Sequence, residues 1–91
     1  MNKADLIDKM ASDAGVTKTA AATALDSLLG SIASTLSGGG KVTLVGFGTF
    51  SVSHRGSRMG RNPQTGASIF IDAKDVPKFT AGKALKDTVN G

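Results

Sequence analysis

Residues 50–71 read FSVSHRGSRMGRNPQTGASIFI, and this stretch decides the fold. Phe50 and Val52 alternate with Ser51 and Ser53, the two-residue period of a half-buried strand. From His54 to Gly66 apolar residues almost vanish, while three Gly and one Pro appear, so this segment has little to contribute to a core. Strand character returns with Ala67-Ser-Ile-Phe-Ile71. Two extended segments around a polar centre predict a long hairpin with its tip at Asn62-Pro63-Gln64-Thr65-Gly66, protruding as an arm.

Upstream of the arm, Val42 and Leu44 alternate with Lys41 and Thr43, and the Gly46-Phe47-Gly48 triplet predicts a turn between two strands. Gly38-Gly39-Gly40 separates these strands from a helical region, because three residues without Cβ lose too much entropy to remain helical. Two helices precede it. The first is capped by Asn2, carries Leu6, Ile7, Met10, Ala11 and Ala14 at helical spacing, and stops at Gly15. The second is capped by Thr17 and runs for about 20 residues behind a wide stripe from Ala21 through Leu25, Leu28, Leu29 and Ile32 to Leu36. Downstream, Thr80 is the expected cap of a short last helix holding Ala84, Leu85 and Val89.

The order is therefore two helices, three strands and a helix, an α+β fold in one domain spanning residues 1–91. Within it we expect a helical dimerisation part at 1–40, a sheet at 41–79 with its arm at about 54–72, and a C-terminal helix at 80–91. Setting the arm aside leaves only about 70 residues to bury apolar surface, near the lower limit for independent folding. The second helix's stripe is wider than the first helix can cover, and Phe47, Phe50 and Phe79 need a shared interior. An intertwined dimer answers both needs.

Charge is unevenly distributed. Residues 1–45 hold four Lys and four Asp and are neutral, so the net charge of +4 falls entirely in residues 46–91. All three Arg lie at 55, 58 and 61, and no acid occurs between Ser27 and Ile71. That segment has nothing to neutralise it internally, and a polyanion is the expected partner. A solvated basic surface that only aids solubility is the plainer alternative.

Composition excludes much enzymology. With no Cys and one His, the chain cannot build a thiolate centre, a Cys-rich zinc site or a multi-His cluster. Gly38-Gly39-Gly40-Lys41 lacks the Gly at 35 and the Ser or Thr at 42 that a Walker loop needs, and Ser51 stands where a dinucleotide fingerprint needs its third Gly. His54 would need an orienting partner and a nucleophile to serve as a general base, and its neighbours are Ser53 and Arg55 on a mostly polar strand. No catalytic residue, metal or cofactor is expected. Charges at Lys3, Asp5, Asp8 and Lys9 break any secretory apolar run, no stretch approaches the ~20 apolar residues of a membrane span, and the absence of Cys suits a reducing compartment, so a cytoplasmic protein is expected.

Arg55, Arg58 and Arg61 are three apart, whereas strand residues share a face at every second position. A bulge or strong twist, which Gly56 and Gly60 would permit, is required for all three to meet one ligand. A ribbon carrying guanidinium groups can enter a nucleic-acid groove, and narrow minor grooves attract Arg. Pro63 has two compatible readings: it fixes the turn after Asn62, or it is an apolar wedge for a base step.

The strings VGFGTF (45–50), GRNPQTG (60–66) and VPKFTAGKALKD (76–87), behind the MNKADLID opening, closely resemble the HU/IHF family of histone-like DNA-binding proteins over nearly the whole chain. That family is itself among the minor-groove binders for which the wedge mechanism is described. The resemblance implies an intertwined dimer whose two β-ribbon arms wrap double-stranded DNA and bend it with little sequence preference. It implies that Arg55, Arg58, Arg61 and Asn62 meet the minor groove and Pro63 intercalates. It further implies that Lys3, Lys18, Lys83 and Lys86 reach phosphates and that Phe47, Phe50 and Phe79 form the dimer core. A nucleoid location, a preference for bent, nicked or gapped duplex, and pairing with itself or a paralogue follow from the same likeness. A site-specific IHF-like subunit, RNA binding and a purely structural self-association module are the alternatives. The chain departs from the family at Ala67 and Phe70, where arms often carry Lys, and at Asp72, an acid near the arm base. Weaker salt dependence than in Lys-rich relatives is expected.

Overall fold

The computed structural model describes all 91 residues, which fall into two compact units, Met1–Thr35 and Leu36–Gly91. The first holds α1 (Lys3–Ala14) and most of α2 (Lys18–Ser37). Asn2 caps α1 as expected: its Oδ1 accepts from the Asp5 amide at 2.9 Å, and Asp5 Oδ2 accepts from the Asn2 amide at 3.1 Å, a reciprocal capping box. Gly15 ends the helix at φ +67°, left-handed backbone that only Gly adopts without cost. Thr17 then caps α2, its hydroxyl accepting from the Ala20 amide at 3.1 Å. Ala21 and Leu25 of α2 and Ala11 of α1 are the buried apolar residues of the chain, while Leu28 and Leu29 of the same stripe remain exposed.

The second unit begins at the glycine run, where the Gly39 amide donates to the Leu36 carbonyl. Its sheet orders β1 (Val42–Leu44), β2 (Gly48–Arg55) and β5 (Lys74–Ala81) as β1-β2-β5, all antiparallel. A separate two-stranded ribbon joins β3 (Arg58–Arg61) to β4 (Ser68–Ile71). The C-terminal α3 spans Lys83–Asn90. Two sequence expectations are corrected here. The expected sheet bounds of 41–79 take in most of a further full-length strand, residues 74–81, beyond the three strands expected, and Thr80 lies in it, paired with Thr49. Gly82 occupies the cap position of α3 and supplies no side-chain bond; its amide donates to the Phe47 carbonyl at 2.8 Å, tying the end of β5 to the β1–β2 turn. That turn is centred on residues 45–47, with Gly48 already the first residue of β2.

Pairing sorts the sheet into two faces, because partners directly opposite in a ladder project to the same side. Val42, Leu44, Phe50 and Val52 share a face with Pro77, Phe79 and Ala81. Thr43, Thr49, Ser51 and Arg55 share the other with Lys74, Lys78 and Thr80. Phe79 organises the apolar face, with ring centroids 4.8 Å from Phe50 and 5.5 Å from Phe47. The predicted three-Phe cluster therefore exists, yet Phe47 and Phe79 are still 45% and 42% exposed. Pro77 is accommodated because β5 is an edge strand, where a missing N–H costs no ladder bond on the open side.

Candidate nucleic-acid interface

The arm is built in register with the sheet beneath it. Arg55 pairs with Lys74, and after two unpaired residues on each strand Arg58 pairs with Ile71 and Arg61 with Ser68. Equal numbers of residues on the two strands mean that no bulge is present. Of the two expected devices for aligning the three arginines, a bulge or a strong twist, the bulge is therefore absent. Within β3, Arg58 and Gly60 project to one side and Met59 and Arg61 to the other. Arg58 and Arg61 flank the ribbon on opposite faces, so they can address the two walls of a groove that the ribbon enters.

Gly60 gives the Arg58 side of the ribbon its packing. A Cβ built at Gly60 would fall 2.7 Å from the Ile71 side chain, so the isoleucine occupies the space that any other residue would claim. Ile69 and Ile71 share that side with Arg58, while Met59 and Phe70 stand directly opposite each other on the other, at 65% and 64% exposure.

Asn62 organises the tip. Its Oδ1 accepts from the Gln64 amide at 2.8 Å, its carbonyl accepts from Gly66 at 2.7 Å, and its amide donates to the Ala67 carbonyl at 2.8 Å. Gly66 sits at φ +72°. Pro63 follows Asn62 in the position where a fixed φ starts a turn, in keeping with the turn reading.

Electrostatics separates the candidate residues into two groups. In the first unit each acid is engaged: Asp26 pairs with Lys3 at 2.7 Å, Asp13 with Lys9 at 3.1 Å, Asp8 with Lys18 at 3.3 Å, and Asp5 serves the cap. Three of the four Lys of residues 1–45 are thus paired with an acid, and Lys3 and Lys18 must leave a carboxylate to reach a phosphate. In the second unit the one such contact is His54 Nδ1 with Asp75 Oδ1 at 2.6 Å. Arg55, Arg58, Arg61, Lys83 and Lys86 are exposed and free of ion pairs. Lys83 and Lys86, three apart on α3, lie on adjoining turns of one side.

Sequence reasoning missed Lys74 and Lys78. Both share a face with Arg55, Lys74 directly across from it. The signal was present: the hairpin folds about the midpoint of Gln64 and Thr65, and counting outward from there gives every cross-strand partner down to Gly48 and Ala81. Among the described residues no group of three or more His, Cys, Asp or Glu is placed to hold a metal, and no helix is long and apolar enough to cross a membrane.

Comparison with known proteins follows the same outline. The family model described as "Bacterial DNA-binding protein" matches residues 1–90. DNA-binding protein HU-beta of Escherichia coli K12 is 57% identical over 90 residues, covering 99% of this chain and all of that one. DNA-binding protein HRL53 of Rhizobium leguminosarum is 50% identical over 91 residues, covering both chains fully. Among solved structures, HU from an Anabaena HU–DNA cocrystal superposes with a TM-score of 0.87 at 46% identity, covering 98% of this chain and 97% of that one. HU from Thermotoga maritima superposes with a TM-score of 0.71 at 38% identity, covering 98% of each chain.

Proposed function

Because the chain belongs to the family of bacterial DNA-binding proteins, we propose that it is a histone-like, non-enzymatic protein of the nucleoid. It binds double-stranded DNA as a dimer with little sequence preference and bends it. The observation that carries this reading is the arm: a ribbon bearing Arg58 and Arg61 on opposite faces, Arg55 at its base and Pro63 at its end, with none of the arginines held by an acid. Fixed cations without internal partners release counterions from a polyanion when they bind it, which supplies affinity without sequence information. The ribbon's width suits a groove, and guanidinium groups suit the potential of a narrow minor groove. Pro63, entering a base step, unstacks it and turns that affinity into a bend.

The dimer has its own support. The chain exposes 6891 Å², against roughly 4,900 Å² for a compact monomer of its mass. Its buried apolar side chains are Ala11, Ala21 and Leu25, too little to hold ninety-one residues folded. Leu28, Leu29, Phe47 and Phe79 await cover, and a second copy or a close paralogue presents the same faces in return. In that dimer Lys83 and Lys86 supply phosphate contacts, while Lys3 and Lys18 contribute as their ion pairs open.

Fluorescence anisotropy of a random-sequence duplex and its nicked counterpart, titrated at several salt concentrations, tests the reading. Tight binding that favours the nicked duplex and falls steeply with salt is expected. A large affinity gap between one sequence and random duplex would instead mark a site-specific protein, and no response at low salt would remove DNA as the partner.

A further inference from the structure

The two faces of the arm differ, and the difference identifies a contact beyond the arginines. On the Arg58 face, Ile71 packs over Gly60 and is partly shielded. On the other face, Met59 and Phe70 form a directly opposed cross-strand pair, the most exposed large apolar side chains of β3 and β4. No residue of the ribbon covers them. Arg61 shares their side two residues beyond Met59, with Ser68 opposite it. No acid occurs in β3, β4 or the tip.

We propose that Met59 and Phe70 form an apolar platform that lies against the deoxyribose walls of the minor groove, with Arg61 beside it drawing the same groove in. This rests on the DNA-binding reading above. The occupant follows from charge complementarity: an apolar pair beside an unpaired guanidinium, on a ribbon without acids, suits a surface that is apolar at its sugar edges and anionic at its rim. A two-stranded ribbon has no second layer to hide a Met and a Phe, so a partner that covers them gains the transfer free energy of the apolar surface it buries. That gain is insensitive to salt, unlike the phosphate contacts of Arg55, Arg58 and Arg61. The arm therefore holds DNA partly by burial, which explains how Phe70 can stand where a cation would otherwise add affinity.

The test uses the full-length chain and a random duplex. Met59→Thr combined with Phe70→Thr keeps β-compatible side chains while removing the apolar surface. We expect about tenfold weaker binding at every salt concentration, one decade being ~1.4 kcal/mol, with an unchanged slope of log K against log salt. Phe70→Leu alone should stay within about threefold of the parent. Labelling the methionine methyls reads the contact directly, since Met1 and Met10 serve as internal controls for Met59. The Met59 methyl should show nuclear Overhauser contacts to deoxyribose protons in the complex. Unaltered affinity in the double variant, or a Met59 methyl silent toward sugar protons while the parent binds duplex, overturns the proposal. Loss of a higher-order oligomer in the double variant, seen by sedimentation without DNA, overturns it in favour of arm-to-arm contact between copies. A parent that does not bind duplex at all refutes instead the DNA reading on which the proposal stands.

Discussion

Arg55 and Lys74 stand directly opposite each other across the β2–β5 ladder, at its last pair before the arm departs. Like charges at opposed positions destabilise an antiparallel pair by a few tenths to about 1 kcal/mol. Neither is relieved by an acid, although Asp75 is adjacent in sequence, because alternation sends Asp75 to the other face, where it meets His54. On the DNA-binding function proposed above, a phosphate is the anion that would relieve this pair.

Lys74→Glu should therefore separate stability from binding. The free protein should gain a few degrees in Tm as repulsion becomes attraction. Duplex affinity should fall, with the salt slope smaller by about 2 for the two phosphate contacts that a dimer loses. A variant that binds with the parent's slope would show that Lys74 faces solvent in the complex.

Pro63→Ala should reduce bending more than binding. The arginines and the Asn62 turn survive the change, so phosphate contacts persist while the wedge is lost. Energy transfer between dyes at the two duplex ends reads the bend, and anisotropy reads the affinity. Equal losses in both would mean that wedge and grip are one interaction.

Asn62→Ala removes the acceptor for the Gln64 amide and leaves the tip to the Gly66 and Ala67 backbone bonds. The cost is about 1 kcal/mol, confined to a ribbon with no core of its own. Amide exchange at residue 62, whose N–H donates to the Ala67 carbonyl, should quicken several-fold while the global Tm moves little. A large fall in Tm would show the tip to be coupled to the body of the fold.

Gly48→Ala should be severe. A Cβ there would fall 2.6 Å from the Phe79 ring and 2.7 Å from the Thr80 carbonyl oxygen, and the backbone oxygen cannot swing away. Overpacking of this kind costs about 1–3 kcal/mol or more, and it displaces the aromatic ring that joins Phe47 and Phe50. Thermal unfolding at several protein concentrations should show a lower Tm and weaker dimerisation. A variant as stable as the parent would mean that Phe79 has another resting place.

Local chemistry made much of this legible in the sequence. Asn2, Gly15 and Thr17 signal helix ends through bonds and backbone angles that depend on neighbours three or four residues away. Asn62-Pro63 and Gly66 mark the tip for the same reason. The strand at 74–81 was not legible from its own residues, which carry Pro77 and a near-continuous mix of charge and apolar residues; its signal lies in its partner β2, reached by counting outward from the hairpin tip. Thr80 looked like a cap because hydroxyls favour that position, but pairing with Thr49 across the sheet outweighs local preference. The arginine geometry was legible only in part. A spacing of three pointed to a bulge or a strong twist, while the ribbon places Arg58 and Arg61 on opposite faces, an arrangement that is plain once the pairing is known.

The central claim is that unpaired arginines of the arm hold the phosphate backbone. Its most direct measurement compares the salt dependence of duplex binding between the parent and a variant with Arg55, Arg58 and Arg61 all changed to Ala. At about 0.9 per phosphate contact, the slope of log K against log salt should fall by roughly 5 for the six arginines of a dimer, with helix content unchanged. An unchanged slope would contradict the account, because the phosphates would then be held by some other part of the molecule.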